Sequence, residues 1–245
     1  MAKIQRYVSK ELTHFIGRNL NEAKQYDLLI EILRSRWLTH PPHDPSISGN
    51  LSINSSANLQ EMYSPEVVCF SDIPIDDIDI HMSKGSRFGM SFLKKFLIEK
   101  GANPVFYLSK NSIVKPLRNL MNPEEIMGRK EYFETMIKEY HEFFRFLETK
   151  ISEFSDAVGV SDEEKQLREL QRFFDFHIFS FIKLFDDSLP DKDLENYYME
   201  REWRLLGNLK FSFDNVIRVI LPQKFAQQFR NDRPDYVGQI TFSDE

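Results

Sequence analysis

The stretch Asn196 to Asn208, NYYMEREWRLLGN, decides how the chain is read. Its alternation of apolar and polar residues predicts a half-buried strand. Tyr198, Glu200, Glu202, Arg204 and Leu206 would then share one face, with Met199, Arg201, Trp203 and Leu205 on the other. Two carboxylates on one strand face repel, so burying both calls for a cation, a ligand hydroxyl or an arginine such as Arg204 or Arg87. The plainer alternative is an edge strand whose Glu and Arg residues face water.

Working outward, strand signals recur on both sides of this stretch. NVIRVILP (215–222) and VGQITF (237–242) follow it; ELTHFIGR (11–18), EVVCFSD (66–72), SRFGMSF (86–92) and NPVFYLS (103–109) precede it. NLNEAKQYDLLIEILRSRWL (19–38) reads as a helix with Tyr26, Leu29, Ile30, Leu33 and Trp37 on one stripe and Asn19 or Asn21 as its cap. Residues 123–187 look wholly helical, and Ser161 to Glu164 resemble a capping box. Strands, a helical hairpin insertion at 123–187 and further strands predict one α+β domain over residues 1–245, its sheet built from two halves separated in sequence.

With 245 residues, 41% hydrophobic, and 22 Phe against 9 Gly and 11 Pro, the chain can bury a sizeable aromatic core and is not of low complexity. No run approaches a membrane span and the first residues show no secretory leader pattern, so a cytoplasmic protein is expected. Its one cysteine, Cys69, excludes an internal disulfide and a cysteine zinc site. It reads as a buried strand residue, with a reactive thiol as the alternative. The net charge of −6 gives no global basic field, although Lys3, Arg6, Lys10, Arg18, Lys24, Arg34 and Arg36 make the first forty residues basic.

No serine-nucleophile, P-loop or dinucleotide-binding motif is present, which disfavours acyl transfer and P-loop chemistry. His40 and His43 have no adjacent third ligand, so no metal is expected there. His141 and His177 read as surface or core helix residues. His14, in a short apolar strand before the first helix, is either a buried hydrogen-bonded histidine or a ligand-binding one. The long loop at 39–65 is of a length usual for lids and binding loops. Glu202 and Glu200 are the candidates for chemistry: a carboxylate there could bind sugar hydroxyls and stabilise an oxocarbenium ion, beside an aromatic wall drawn from Tyr63, Phe70, Phe88, Phe106 and Tyr107.

RYVSKELTHFIGRN, LRSRWLTHPPH, VVCFSDIPIDD, SRFGMSFLKKFLIEKGANPVFYLS, EREWRLLGN and PDYVGQI, in that order, resemble the AbiGi family of abortive-infection phage-defence proteins, generally described as antitoxins. The same succession of strands is similar to the ADP-ribosyltransferase fold, with its split antiparallel sheet. That resemblance implies a phage-defence effector of a toxin–antitoxin type that takes NAD as substrate and transfers ADP-ribose. Glu202 would be the catalytic glutamate and Glu200 the partner of a Glu-x-Glu pair. His14 would bind NAD from the first strand, Ser71 or Ser91 would take the middle position, and Tyr63 or Phe88 would stack on nicotinamide. The implied partners are a cognate toxin or antitoxin protein and an RNA, DNA or protein acceptor, with no membrane and no metal. The alternative is a non-catalytic antitoxin or regulator that binds a partner toxin through the aromatic insertion between Glu124 and Asp186.

Overall fold

The computed structural model describes residues 9–39, 50–54, 62–74, 82, 86–109, 113–114, 131–155, 162–190, 193 and 196–244. His40, His43, most of the long loop, Ser161 and residues 123–130 lie outside them. The first elements in chain order are β1 (Glu11–Phe15), α1 (Glu22–Ser35), β2 (Trp37–Leu38), β3 (Leu51–Ile53), β4 (Tyr63–Pro65), β5 (Val67–Ser71) and β6 (Gly89–Leu93). Then come α2 (Lys94–Glu99), β7 (Asn103–Pro104), β8 (Phe106–Ser109), β9 (Ile113–Val114), β10 (Glu131–Tyr132), α3 (Phe133–Ser155) and α4 (Asp162–His177). The chain closes with β11 (Ile182–Phe185), β12 (Glu202–Leu206), β13 (Leu209–Lys210), β14 (Val216–Leu221), α5 (Ala226–Asp232) and β15 (Gln239–Phe242). It is an α+β protein that divides into two compact units.

The first unit comprises residues 1–50, 66–105 and 190–245. Among the described residues its sheet has seven strands in the order β15-β14-β6-β1-β5-β12-β7, antiparallel throughout except for the parallel β14–β15 pair. One face is apolar. Leu12, Phe70, Met90, Phe92, Leu205 and Val219 pack in one cluster with Leu29 and Leu33 of α1. That helix forms because its apolar residues recur at three and four spacing. It starts at Asn21, whose side chain accepts from Lys24 N at 3.0 Å. It stops at Arg36, which turns left-handed (φ 62°) and donates its N–H to Ile32 O at 2.8 Å.

The second unit comprises residues 51–65 and 106–189. It holds the antiparallel β3–β4 pair, the parallel β8–β11 pair, α3 and α4, with Met62, Tyr63, Ile137 and Leu184 as its core. Two expectations are corrected here. Ile182–Phe185, read as the end of a helix, is a strand, because its backbone pairs with Phe106–Ser109. NPVFYLS is not one strand: it breaks at Val105, whose N–H donates to Glu202 O at 3.1 Å, and its halves belong to different units.

Cys69 is exposed, not buried. In β5 the apolar face takes Val68 and Phe70, so strand alternation sends Cys69 to the opposite side.

Candidate functional site

The opening stretch is not one continuous strand. Tyr197–Glu200 form a 3-10 turn, held at its start by Tyr198 N donating to the Asn196 side chain at 3.3 Å. Arg201 then takes a left-handed conformation (φ 45°), and β12 begins only at Glu202. Glu200 and Glu202 therefore do not share a strand face. The turn carries the Glu200 carboxylate to within 3.5 Å of Arg18 Nη2. Glu202 does not sit on a water-facing edge either: its strand lies between β5 and β7, and it is 6% exposed.

Register shows what Glu202 faces. It lies opposite Ser71, Ser71 opposite Thr13, Thr13 opposite Ser91, and Ser91 opposite Arg218. Residues directly opposite in a ladder share a face. These side chains therefore form one polar row across β12, β5, β1, β6 and β14, on the face away from the α1 core.

Burial of such a row demands hydrogen-bond partners. Arg204 Nε donates to Glu202 Oε1 at 2.7 Å, the two side chains being 12% and 7% exposed. The Thr13 and Ser91 hydroxyls, 2.8 Å apart, bond to each other. At the far end Arg218 donates to both Glu11 oxygens, at 2.7 and 2.9 Å, and to Thr241 Oγ1 at 3.3 Å. Ile220 and Ile73, with Phe15 and Met82, form a small apolar cluster on this side of the sheet.

His14 stands at a gap in the sheet. β1 and β5 pair at a single position, Thr13 with Ser71. Just beyond it the imidazole Nδ1 reaches Cys69 O at 2.8 Å, and the ring lies edge-on to Phe70 at 5.9 Å. A carbonyl oxygen can only accept, so Nδ1 carries the proton in this bond.

The other sequence candidates are spread more widely. Ser71 and Ser91 both fall in the polar row, but Ser91 is fully buried against Thr13. Phe88 is fully buried in the core, its ring 5.2 Å from that of Phe225 and 6.3 Å from that of Tyr26. Phe70 is a core residue as well. Tyr63, Phe106 and Tyr107 belong to the second unit. There the Tyr63 hydroxyl bonds His141 Nε2, and both residues are buried. Burial, then the Asp175 and Tyr140 charges, pushes the Tyr63 phenol up; burial, then Arg145, pushes the His141 imidazole down. His177 is exposed.

Two residues of the site escaped sequence reading. Thr13, not His14, is in register with Ser71 and Glu202; the period-2 pattern around His14 holds this information once the pairing is known. Asp72 is buried beside Arg201, and its signal was a carboxylate directly after an apolar strand in VVCFSD. Among the described residues no group of three or more His, Cys, Asp or Glu could hold a metal ion, and no helix is long and apolar enough to cross a membrane.

The site is thus a buried carboxylate–guanidinium pair on β12, one strand in from the edge of an α+β protein's sheet, in a polar row that also holds the Thr13–Ser91 hydroxyl pair. Residues 47–236 match the family described as "Putative abortive phage resistance protein AbiGi, antitoxin", and the chain belongs to that AbiGi family. It is 31% identical over 144 residues to the "Abortive phage resistance protein AbiGi" of Lactococcus lactis subsp. cremoris. That alignment covers 54% of this chain and 56% of the relative, so the chain spans little more than half the length of the relative it matches. No solved structure matches.

Proposed function

We propose that this chain is an abortive-infection effector whose site at Glu202 transfers ADP-ribose from NAD, on an ADP-ribosyltransferase-like sheet. The observation that carries this reading is the adjacency of β1, β5 and β12, with Ser71 in register with Glu202 on one face; His14 stands where β1 and β5 part, and strand alternation turns it to the other face, beside Phe70. A dinucleotide entering there would meet a carboxylate and a serine hydroxyl from neighbouring strands. Glu202 would accept hydrogen bonds from the ribose hydroxyls and stabilise the oxocarbenium ion as nicotinamide leaves with the bonding electron pair. An oxygen or nitrogen of an RNA, DNA or protein acceptor would then form the new bond to the ribose carbon and lose its proton.

Labelled NAD incubated with the purified chain and, separately, with RNA, DNA and cell protein tests the reading. Label passes to one acceptor class with the wild type and not with Glu202→Gln. A folded chain that neither moves label nor releases nicotinamide overturns it.

The family description names an antitoxin, which favours a second reading: a non-catalytic partner that neutralises a toxin. Rescue of cells from a co-expressed neighbouring toxin by the Glu202→Gln variant as fully as by wild type would establish this reading over the first.

A further inference from the structure

Asp72 sits at the meeting point of four segments. It is 5% exposed, and its Oδ2 accepts from Lys94 Nζ at 2.7 Å and lies 3.9 Å from Arg201 Nη2. Its Oδ1 accepts from Ser9 N at 3.2 Å, and its own N–H donates to Arg201 O at 3.1 Å. The residue it meets through both its main chain and its carboxylate, Arg201, is one of the non-glycine positions with positive φ among the described residues. An L side chain there costs on the order of 1 kcal/mol or more, and such a conformation persists only where surrounding contacts impose it. Arg201 is also the joint between Glu200, turned toward Arg18, and Glu202, the first residue of β12.

We infer that Asp72 is a positioning residue: it holds Arg201 left-handed and thereby sets where Glu200 and Glu202 stand relative to the sheet. The inference rests on the reading of Glu202 as the catalytic carboxylate for its effect on rate, and on geometry alone for its effect on the backbone. Lys94 is the second anchor of the same carboxylate, 16% exposed and with its Nζ 5.3 Å above the Trp203 ring, so the grip extends to the residue after Glu202.

The test is the Asp72→Asn variant, alone and combined with Arg201→Gly. Glycine takes positive φ without steric cost and so needs no partner to hold it there. Asp72→Asn is expected to lower the kcat of nicotinamide release by about tenfold or more with KM within about threefold, as misplacement of a reacting group does. Adding Arg201→Gly is expected to restore most of the lost kcat. A role of Asp72 only as the ion-pair partner of Lys94 would not be rescued in this way. Arg201→Val opposes the left-handed conformation, keeping the main-chain bond from Asp72 N–H and the Asp72–Lys94 pair while losing the guanidinium contact, and lowers kcat in parallel, which covers the case in which Asp72→Asn does not fold. Wild-type kcat in Asp72→Asn, or a loss that glycine fails to restore, overturns the inference. If the wild type releases no nicotinamide, the Glu202 reading fails and a crystal structure of Asp72→Asn decides the geometry: Arg201 leaving positive φ supports the positioning role, and Arg201 unchanged refutes it.

Discussion

Arg204 donates to Glu202 at 2.7 Å from two positions along the same strand, both side chains being largely withdrawn from water. A carboxylate at this depth is stabilised by its cation, and removing one member of a buried pair costs more than the pair contributes, because the survivor keeps its burial and loses its nearest opposite charge. Arg204→Met is expected to lower the unfolding free energy by roughly 3 kcal/mol. The double change with Glu202→Gln should cost clearly less than the sum of the two singles. Urea denaturation of the four proteins measures the coupling, and additive singles would show that the pair does not interact.

The Thr13 and Ser91 hydroxyls form a smaller version of the same arrangement between β1 and β6. Thr13→Val leaves the fully buried Ser91 hydroxyl without this partner and should cost about 1–2 kcal/mol. Ser91→Ala in the Thr13→Val background should then cost little or even stabilise. Thermal unfolding of the two variants reads the difference.

Asn21 supplies the N-cap of α1, the helix that packs on the apolar face of the sheet. Asn21→Ala removes the acceptor for Lys24 N and should destabilise by about 1 kcal/mol, whereas Asn21→Ser or Asn21→Asp should be close to neutral. A loss as large in the Asp variant as in the Ala variant would contradict a capping role.

His141 gives the second unit a pH dependence with a definite sign. Its imidazole is held neutral by burial first and by Arg145 second, with the Tyr63 hydroxyl bonded to Nε2 and the rings of Tyr140 and Phe179 beside it. The folded-state pKa lies below the free value of 6.5, so the unfolded chain takes up the proton first as pH falls. The contribution is complete above about 6.5 and is lost as pH drops from there through the lowered folded value. Unfolding free energies measured between neutral and mildly acidic pH should decline more steeply for wild type than for His141→Asn. Equal slopes would remove His141 as the source.

Much of this was legible in the residues themselves. The period-2 patterns at Glu11–Phe15, Val67–Ser71 and Val216–Leu221, the apolar stripe of α1 and its Asn21 cap are local features, set by neighbours within a few positions in the chain. The order of the motifs also indicated AbiGi membership, and the match over residues 47–236 bears it out. Tertiary structure alone decided the rest. Ile182–Phe185 is a strand because Phe106–Ser109 offers it hydrogen bonds, against a helical local pattern. Glu200 and Glu202 part because Arg201, which caps the 3-10 turn and is bound by Asp72 just past the end of β5, turns left-handed where alternation predicted extended chain. Thr13 faces Ser71 and Glu202 because the registers of two ladders coincide there. Sequence periodicity reports which side of its own element a residue occupies, whereas backbone pairing, strand register and buried charge partners depend on segments far apart in the chain, which meet only when the sheet forms.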